Sequence, residues 1–176
     1  MIWITRLLAF LLGFAAVVVI VYAIALNYGF ERVWSRVAGP ADLGDTTFRG
    51  YAKGTKPNEA LVCPPNLCAE TSVDLASPVY AVPVSRLRDA LLESLEIEPR
   101  LERVDDDSDS LRLRFIQRSK TLLFPDTISI ELIPVTDETS TLALHSRSQI
   151  GTSDLGVNRT RAERWLDRLG VFEVDR

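Results

Sequence analysis

The sequence predicts an α+β protein, with an N-terminal transmembrane helix followed by a small domain of β-α-β-β-β-β-α order whose antiparallel sheet carries helices on one face. Three observations predict it. Residues 7–26 form an uncharged apolar run, four later stretches alternate apolar with polar side chains, and two amphipathic stretches of helical period flank those strands. The expected division is an N-terminal flank over 1–6, the membrane helix over 7–26, a tether over 27–56 and one soluble domain over 57–176.

The run LLAFLLGFAAVVVIVYAIAL from Leu7 contains no charged or amide side chain. At a 1.5 Å rise, about 20 apolar residues match the roughly 30 Å hydrocarbon core of a bilayer. Trp3, Tyr22, Tyr28 and Trp34 are amphipathic rings of the kind that settle at membrane interfaces. A cleaved secretory signal is the competing reading, since Ala23-Ile24-Ala25 resembles a cleavage site. The run is longer than the usual core of such a signal, which favours a retained anchor.

Between residues 27 and 56, glycines at 29, 39, 44, 50 and 54 and Pro40 interrupt a stretch with little apolar periodicity, hence the tether. The remaining 120 residues suffice for one domain with a single core. Val79 to Val82 reads as a short extended segment, and Pro83 fits the first turn of a helix reaching Glu96 with Val84, Leu87, Leu91 and Leu95 on its apolar face. Strands are expected over 98–104, 111–118, 127–135 and 141–150. Leu111, Leu113 and Phe115 point opposite to Arg112 and Arg114, and Leu142 and Leu144 opposite to His145 and Arg147, so one face is apolar and the other charged. Short connections imply hairpins. A last helix is expected from about Asp154 to Leu169, stopped by Gly170. By analogy of order the domain is helix-grip-like.

Chemistry is sparse. The net charge of −4 with interspersed signs gives no nucleic-acid footprint. Cys63 and Cys68 are the only cysteines; a disulfide is expected, closing a short loop in an oxidising compartment for about 2 kcal/mol, with two free thiols as the alternative. No metal or cofactor is expected. Asp105, Asp107 and Asp109 have the odd spacing of a calcium loop, but Ser110 and Ile116 stand where Gly and Glu are required. The single histidine, His145, falls on the charged face away from Ser146 and reads as a solvated residue, so a hydrolase triad lacks its base.

The run from Ser148 to Arg159 is the most informative, a strand turning into a helix with Ser153 or Asp154 as its N-cap. Projected with Leu155, Ala162 and Trp165, both Asn158 and Arg159 fall on the buried stripe, so Arg159 needs a partner, and Asp126 is the candidate. Asp126, Ser153, Asp154, Asn158 and Arg159 are therefore expected to form a polar network. It either fixes the last helix on the sheet or presents positive potential to an anionic group.

The segment Cys-Pro-Pro-Asn-Leu-Cys at 63–68, Phe124-Pro125-Asp126, His145-Ser146-Arg147-Ser148 and above all Ser-Asp-Leu-Gly-Val-Asn-Arg at 153–159 together resemble the bacterial domain of unknown function family 1499, over about residues 57–169. The resemblance implies a bacterial envelope setting and supplies no catalytic residue. The expectation is a single-pass protein of the bacterial inner membrane with a periplasmic domain. Its leading role is a non-enzymatic module holding an apolar or amphiphilic, lipid-like ligand between sheet and last helix. A structural domain docking on another envelope protein is the runner-up. A hydrolase is the third reading, and it requires Ser153, Asp126 and Arg159 to converge in one cleft. Arg32 and Arg36 after the run, against Arg6 before it, lean towards a cytoplasmic domain; the cysteine pair leans the other way.

Overall fold

A computed structural model describes residues 2–69, 71–105 and 111–174. The chain divides into two compact units, 1–40 and 41–176.

The first unit holds two helices, α1 (Ile2–Tyr28) and α2 (Phe30–Ala38), separated by Gly29 at φ 80°. The segment Trp3–Ile24 is long and apolar enough to cross a membrane, and none of it is buried in protein.

The second unit is built on one six-stranded sheet of order β2-β1-β6-β5-β4-β3. Its strands are β1 (Glu59–Cys63), β2 (Leu75–Ala76), β3 (Leu101–Arg103), β4 (Arg112–Arg118), β5 (Pro125–Pro134) and β6 (Ser140–Ser148). Helix α3 (Val84–Leu95) lies between β2 and β3, and α4 (Val157–Leu169) follows β6. The sheet is mixed: β1 pairs parallel with β2 and antiparallel with β6, where an entirely antiparallel sheet was expected. Neither β1 nor β2 stands out in the sequence, because β1 is buried on both faces and shows no alternation. The extended segment expected at 79–82 contributes only Tyr80, bridged to Ser140 and Glu173. Residues 106–110, which hold most of the acidic hairpin, lie outside the described residues.

One face of the sheet carries the main core. Trp165, Ala162 and Leu169 of α4 and Leu87, Leu91 and Leu95 of α3 pack on Val62, Phe115, Ile128, Ile130 and Leu144. Phe115 meets Trp165 edge to face with ring centroids 6.5 Å apart. Each such buried side chain contributes about 1.5–3 kcal/mol, so the sheet and helices are held mainly by this layer. The space between sheet and α4, where a ligand was expected, is occupied by these side chains.

The opposite face is covered too, which corrects both the tether and the charged, solvated face. Residues 41–56 cross it as a strap. Phe48 is buried with Leu61, Cys63, Cys68 and Ala143 in a second apolar cluster. Sheet cations hold the strap: Arg114 Nε donates to Asp42 at 3.0 Å, Arg112 Nη2 lies 2.8 Å from Asp45, and Arg147 donates to the carbonyls of Leu43 and Gly44. The exposed charges expected on this face are therefore the fastenings of an irregular segment, and irregular segments carry no periodicity to read. The Cys63–Cys68 disulfide, with Cα atoms 6.0 Å apart, closes the loop beside Phe48.

Candidate functional site

Of the residues expected in a polar network, Asp126 and Asn158 meet in one that is centred on Arg161. Asp126 opens β5, Gln117 lies near the end of β4, and Ser146 and Ser148 end β6; all face α4. From α4, Arg161 Nη2 donates to Asp126 at 2.6 Å, Nη1 to the Ser146 hydroxyl at 2.7 Å and to Asn158 Oδ1, and Nε to Gln117 Oε1. Asn158 completes the set: its Nδ2 donates to Ser148 Oγ at 2.9 Å and to the Asn58 carbonyl at 3.2 Å. Asn158 and Arg161 are buried, and the satisfied donors offset the desolvation of the ion pair.

Arg159 is the correction. Its side chain is 53% exposed and pairs with Glu163 one turn on, at 2.9 Å, rather than with Asp126. The reason is the phase of the helix. The expectation took Leu155 as part of the stripe, whereas Leu155 precedes the helix at φ 55° and is 93% exposed. With Val157 as the first helical residue, the buried stripe is Asn158, Arg161, Ala162, Trp165 and Leu169. Ser153 and Asp154 serve the turn. Asp154 accepts from the amides of Gly156 and Asn158 at 3.0 and 2.8 Å, and the N-cap position itself is Gly156. Gly170 ends the helix but continues into a 3-10 turn over Gly170–Phe172.

Arg159 and Asp126 line separate clefts, with Ser153 shared between them, so the convergence that a hydrolase reading requires is not met.

Beside the network lies an open cleft of about 440 Å³ that sequence reasoning missed. Six cations line it, Arg100, Arg118, Lys120, Arg161, Arg164 and Arg168, against one carboxylate, Glu98. Arg161 is matched by Asp126, and Arg118 by Glu102 at 2.9 Å. Arg164 and Arg168 share Glu98, at 2.8 and 2.7 Å, so these two positive charges meet one negative charge. Burial alone would raise the Glu98 carboxyl, but Arg164, Gln117 and Arg168 hold it at about 2. Arg100 and Lys120 have no carboxylate partner among the described residues. The cleft is thus a concave surface with surplus positive charge, formed by planar guanidinium groups suited to phosphate or carboxylate. Arg164 and Arg168 are four apart on α4, a spacing visible in the sequence; Arg100 and Arg118 meet only through the β3–β4 pairing.

A second polar cluster sits under the strap. His145 is completely buried: its Nε2 donates to Glu59 Oε2 at 2.6 Å, and Nδ1 accepts from the Thr46 hydroxyl at 2.9 Å. The Tyr51 hydroxyl donates to the same Glu59 oxygen at 2.7 Å. Burial, opposed by Glu59 and assisted by Arg147 and Lys53, moves the imidazole below its ordinary range. Burial would raise Glu59, yet the hydrogen bonds from Tyr51 and His145 hold it low; burial and Glu59 push the Tyr51 phenol up. The expectation of a solvated histidine fails because the strap covers it. The cluster fastens the strap.

Residues 62–169, more than half of the chain, match a family model described as Protein of unknown function (DUF1499). Among curated proteins none matches. Among solved structures, the crystal structure of the di-domain ARO/CYC BexL from the BE-7585A biosynthetic pathway is similar, with 13% sequence identity and a TM-score of 0.41. The match covers 65% of this chain and 45% of that one, so the chain spans less than half the length of BexL.

Proposed function

The chain belongs to the DUF1499 family, and we propose that this member is a membrane-anchored, non-enzymatic binding module that takes an anionic group of a ligand in its arginine cleft. The observation that carries the reading is the shared carboxylate. Two guanidinium groups of α4 have one carboxylate, Glu98, between them, with Arg100 and Lys120 beside them, and a phosphate or carboxylate entering the cleft supplies the missing negative charge. A charge-assisted hydrogen bond of this kind contributes about 1.5–3 kcal/mol.

The filled helix–sheet layer moves the ligand from the interior to this surface. The sheet pressed on α4 we read as a reduced helix-grip arrangement. The α1 helix serves as the anchor, and the Cys63–Cys68 disulfide supports an oxidising, periplasmic setting on a bacterial inner membrane.

The test is titration of the full-length protein, in mild neutral detergent, with inorganic phosphate and glycerol phosphate, followed by calorimetry. Saturable binding that is lost in the Arg164→Glu, Arg168→Glu double variant is expected. Unchanged heats in the double variant would remove the cleft as the site. If neither probe binds while the protein co-purifies with a stoichiometric protein partner, docking takes the place of ligand binding.

A further inference from the structure

The arginine cleft does not end at its charged wall. A second open cleft, of about 250 Å³, shares Ser119 and Val157 with it, so the two are contiguous across the start of α4. The second half is lined by Phe124, Ile150, Leu155 and Val157, with Ser148 and Asp126 at its polar edge. Two of these apolar side chains are presented to solvent: Leu155 is 93% exposed and Val157 52%. Surplus positive charge and exposed hydrocarbon therefore lie side by side across these two residues.

The backbone marks the same place. Among the described residues, three that are not glycine have positive φ: Arg100 at 55°, Leu123 at 54° and Leu155 at 55°. Arg100 lines the charged half, Leu155 lines the apolar half, and Leu123 directly precedes the lining residue Phe124. The left-handed region disfavours a side chain, and a glycine would occupy it freely. Strain of this sort persists where the surrounding structure holds it, and it gathers at ligand sites. At Leu155 the strained residue contributes almost nothing to the core, since its side chain points to solvent.

Building on the anion reading above, we infer that the ligand is a single-chain anionic amphiphile, with its phosphate among Arg100, Arg164 and Arg168 and its hydrocarbon chain along Phe124, Leu155 and Val157. Charge complementarity selects the head and the exposed apolar wall selects the chain. Their contiguity places both on one molecule.

The experiment uses the full chain in nanodiscs of neutral phosphatidylcholine, titrated with inorganic phosphate and with butyl, hexyl and octyl phosphate below their micellar concentrations. Empty discs give the partitioning to be subtracted. Affinity should rise about fourfold per added methylene, the equivalent of roughly 0.8 kcal/mol for each buried CH2, until the apolar half is filled. Leu155→Asn, whose side chain tolerates positive φ without adding charge, should flatten this rise. Arg159→Ala, which lies outside both clefts, should leave it intact. Phosphate binding with no gain from the chain would overturn the amphiphile and leave the anion site standing. A chain-length gain undiminished in Leu155→Asn would overturn the assigned path of the chain. No binding by phosphate or by any alkyl phosphate would overturn both readings.

Discussion

The two faces of the sheet bury polar clusters that meet at neighbouring residues of β6: Ser146 points into the Arg161 network, and His145 points into the cluster under the strap. The first is centred on the Arg161 guanidinium, and the Asp126 carboxylate completes it. The second is centred on an imidazole held neutral by burial, and its partners are a carboxylate, a phenol and a hydroxyl. Helix attachment thus rests on a buried ion pair, whereas strap attachment rests on a buried imidazole whose proton affinity is lowered.

This contrast is sharpest when one side is broken. Asp126→Ala leaves Arg161 buried without its carboxylate and should destabilise the second unit by about 3–5 kcal/mol in urea unfolding. Arg159→Ala, at the position that the sequence favoured, should stay within about 0.5 kcal/mol of the parent, as an exposed i,i+4 pair does. Equal effects of the two substitutions would remove the asymmetry.

On the strap side, His145→Ala should cost about 1–3 kcal/mol through the lost hydrogen bonds to Glu59 and Thr46, and it should also alter the pH dependence. Because the folded imidazole is held below its ordinary value, the unfolded chain takes up the proton first as pH falls. Stability is therefore full above about pH 6.5 and declines below it, and this decline should be absent in His145→Ala. Glu59, also held low, adds its own loss only as pH falls past the ordinary carboxylate range. Glu98, at about 2, behaves likewise on the helix side, with stability lost from about pH 4.5 downwards. Identical pH profiles for parent and His145→Ala between pH 7.5 and 5.5 would break the comparison.

Opening the Cys63–Cys68 bridge as the paired serine variant should cost about 2 kcal/mol by loop entropy. Amide exchange should report that loss around Phe48 and leave the Arg161 side unchanged. One substitution should bring a gain: Leu155→Gly should stabilise by about 1 kcal/mol by removing a side chain from the left-handed region. The same change should weaken alkyl phosphate binding. A loss of stability on that substitution would show that Leu155 is held by contacts rather than strained.

The part of the fold that repeats with a period was legible. The β4, β5 and β6 alternation and the α3 and α4 stripes follow from apolar spacing, Asn158 is marked by its polar side chain on an apolar stripe, and Asp126 by its place at the mouth of a strand as the carboxylate that a buried arginine needs. The sequence points to Arg159 because a single exposed leucine, Leu155, shifts the apparent helix phase. Nothing local marks Leu155 as pre-helical apart from Gly156, which adopts φ 81° at the N-cap. The strap and its cluster were illegible for a different reason. Thr46, Tyr51 and Glu59 reach His145 from 86 to 99 residues away, and their own segment has no period. The arginine cleft falls between: half of its charge lies on one helix face, and the rest is assembled by strand pairing.

Gln117 lies where cleft and network meet, and its amide faces both ways: the carbonyl accepts from Arg161, and the amino group donates to Glu98 and to the Pro99 carbonyl. No carboxylate, ammonium or hydroxyl of that length can accept from a guanidinium and donate to a carboxylate with separate atoms in the same plane. Gln117→Glu would set a second carboxylate against Glu98, and Gln117→Lys would set a cation against Arg161. Mutational drift in the arginine cleft and in the helix attachment is therefore not independent. A change at Arg164 or Arg168 shifts what Glu98 demands of Gln117, and through it what Arg161 tolerates, which makes this one amide a source of epistasis between the cleft and the fold.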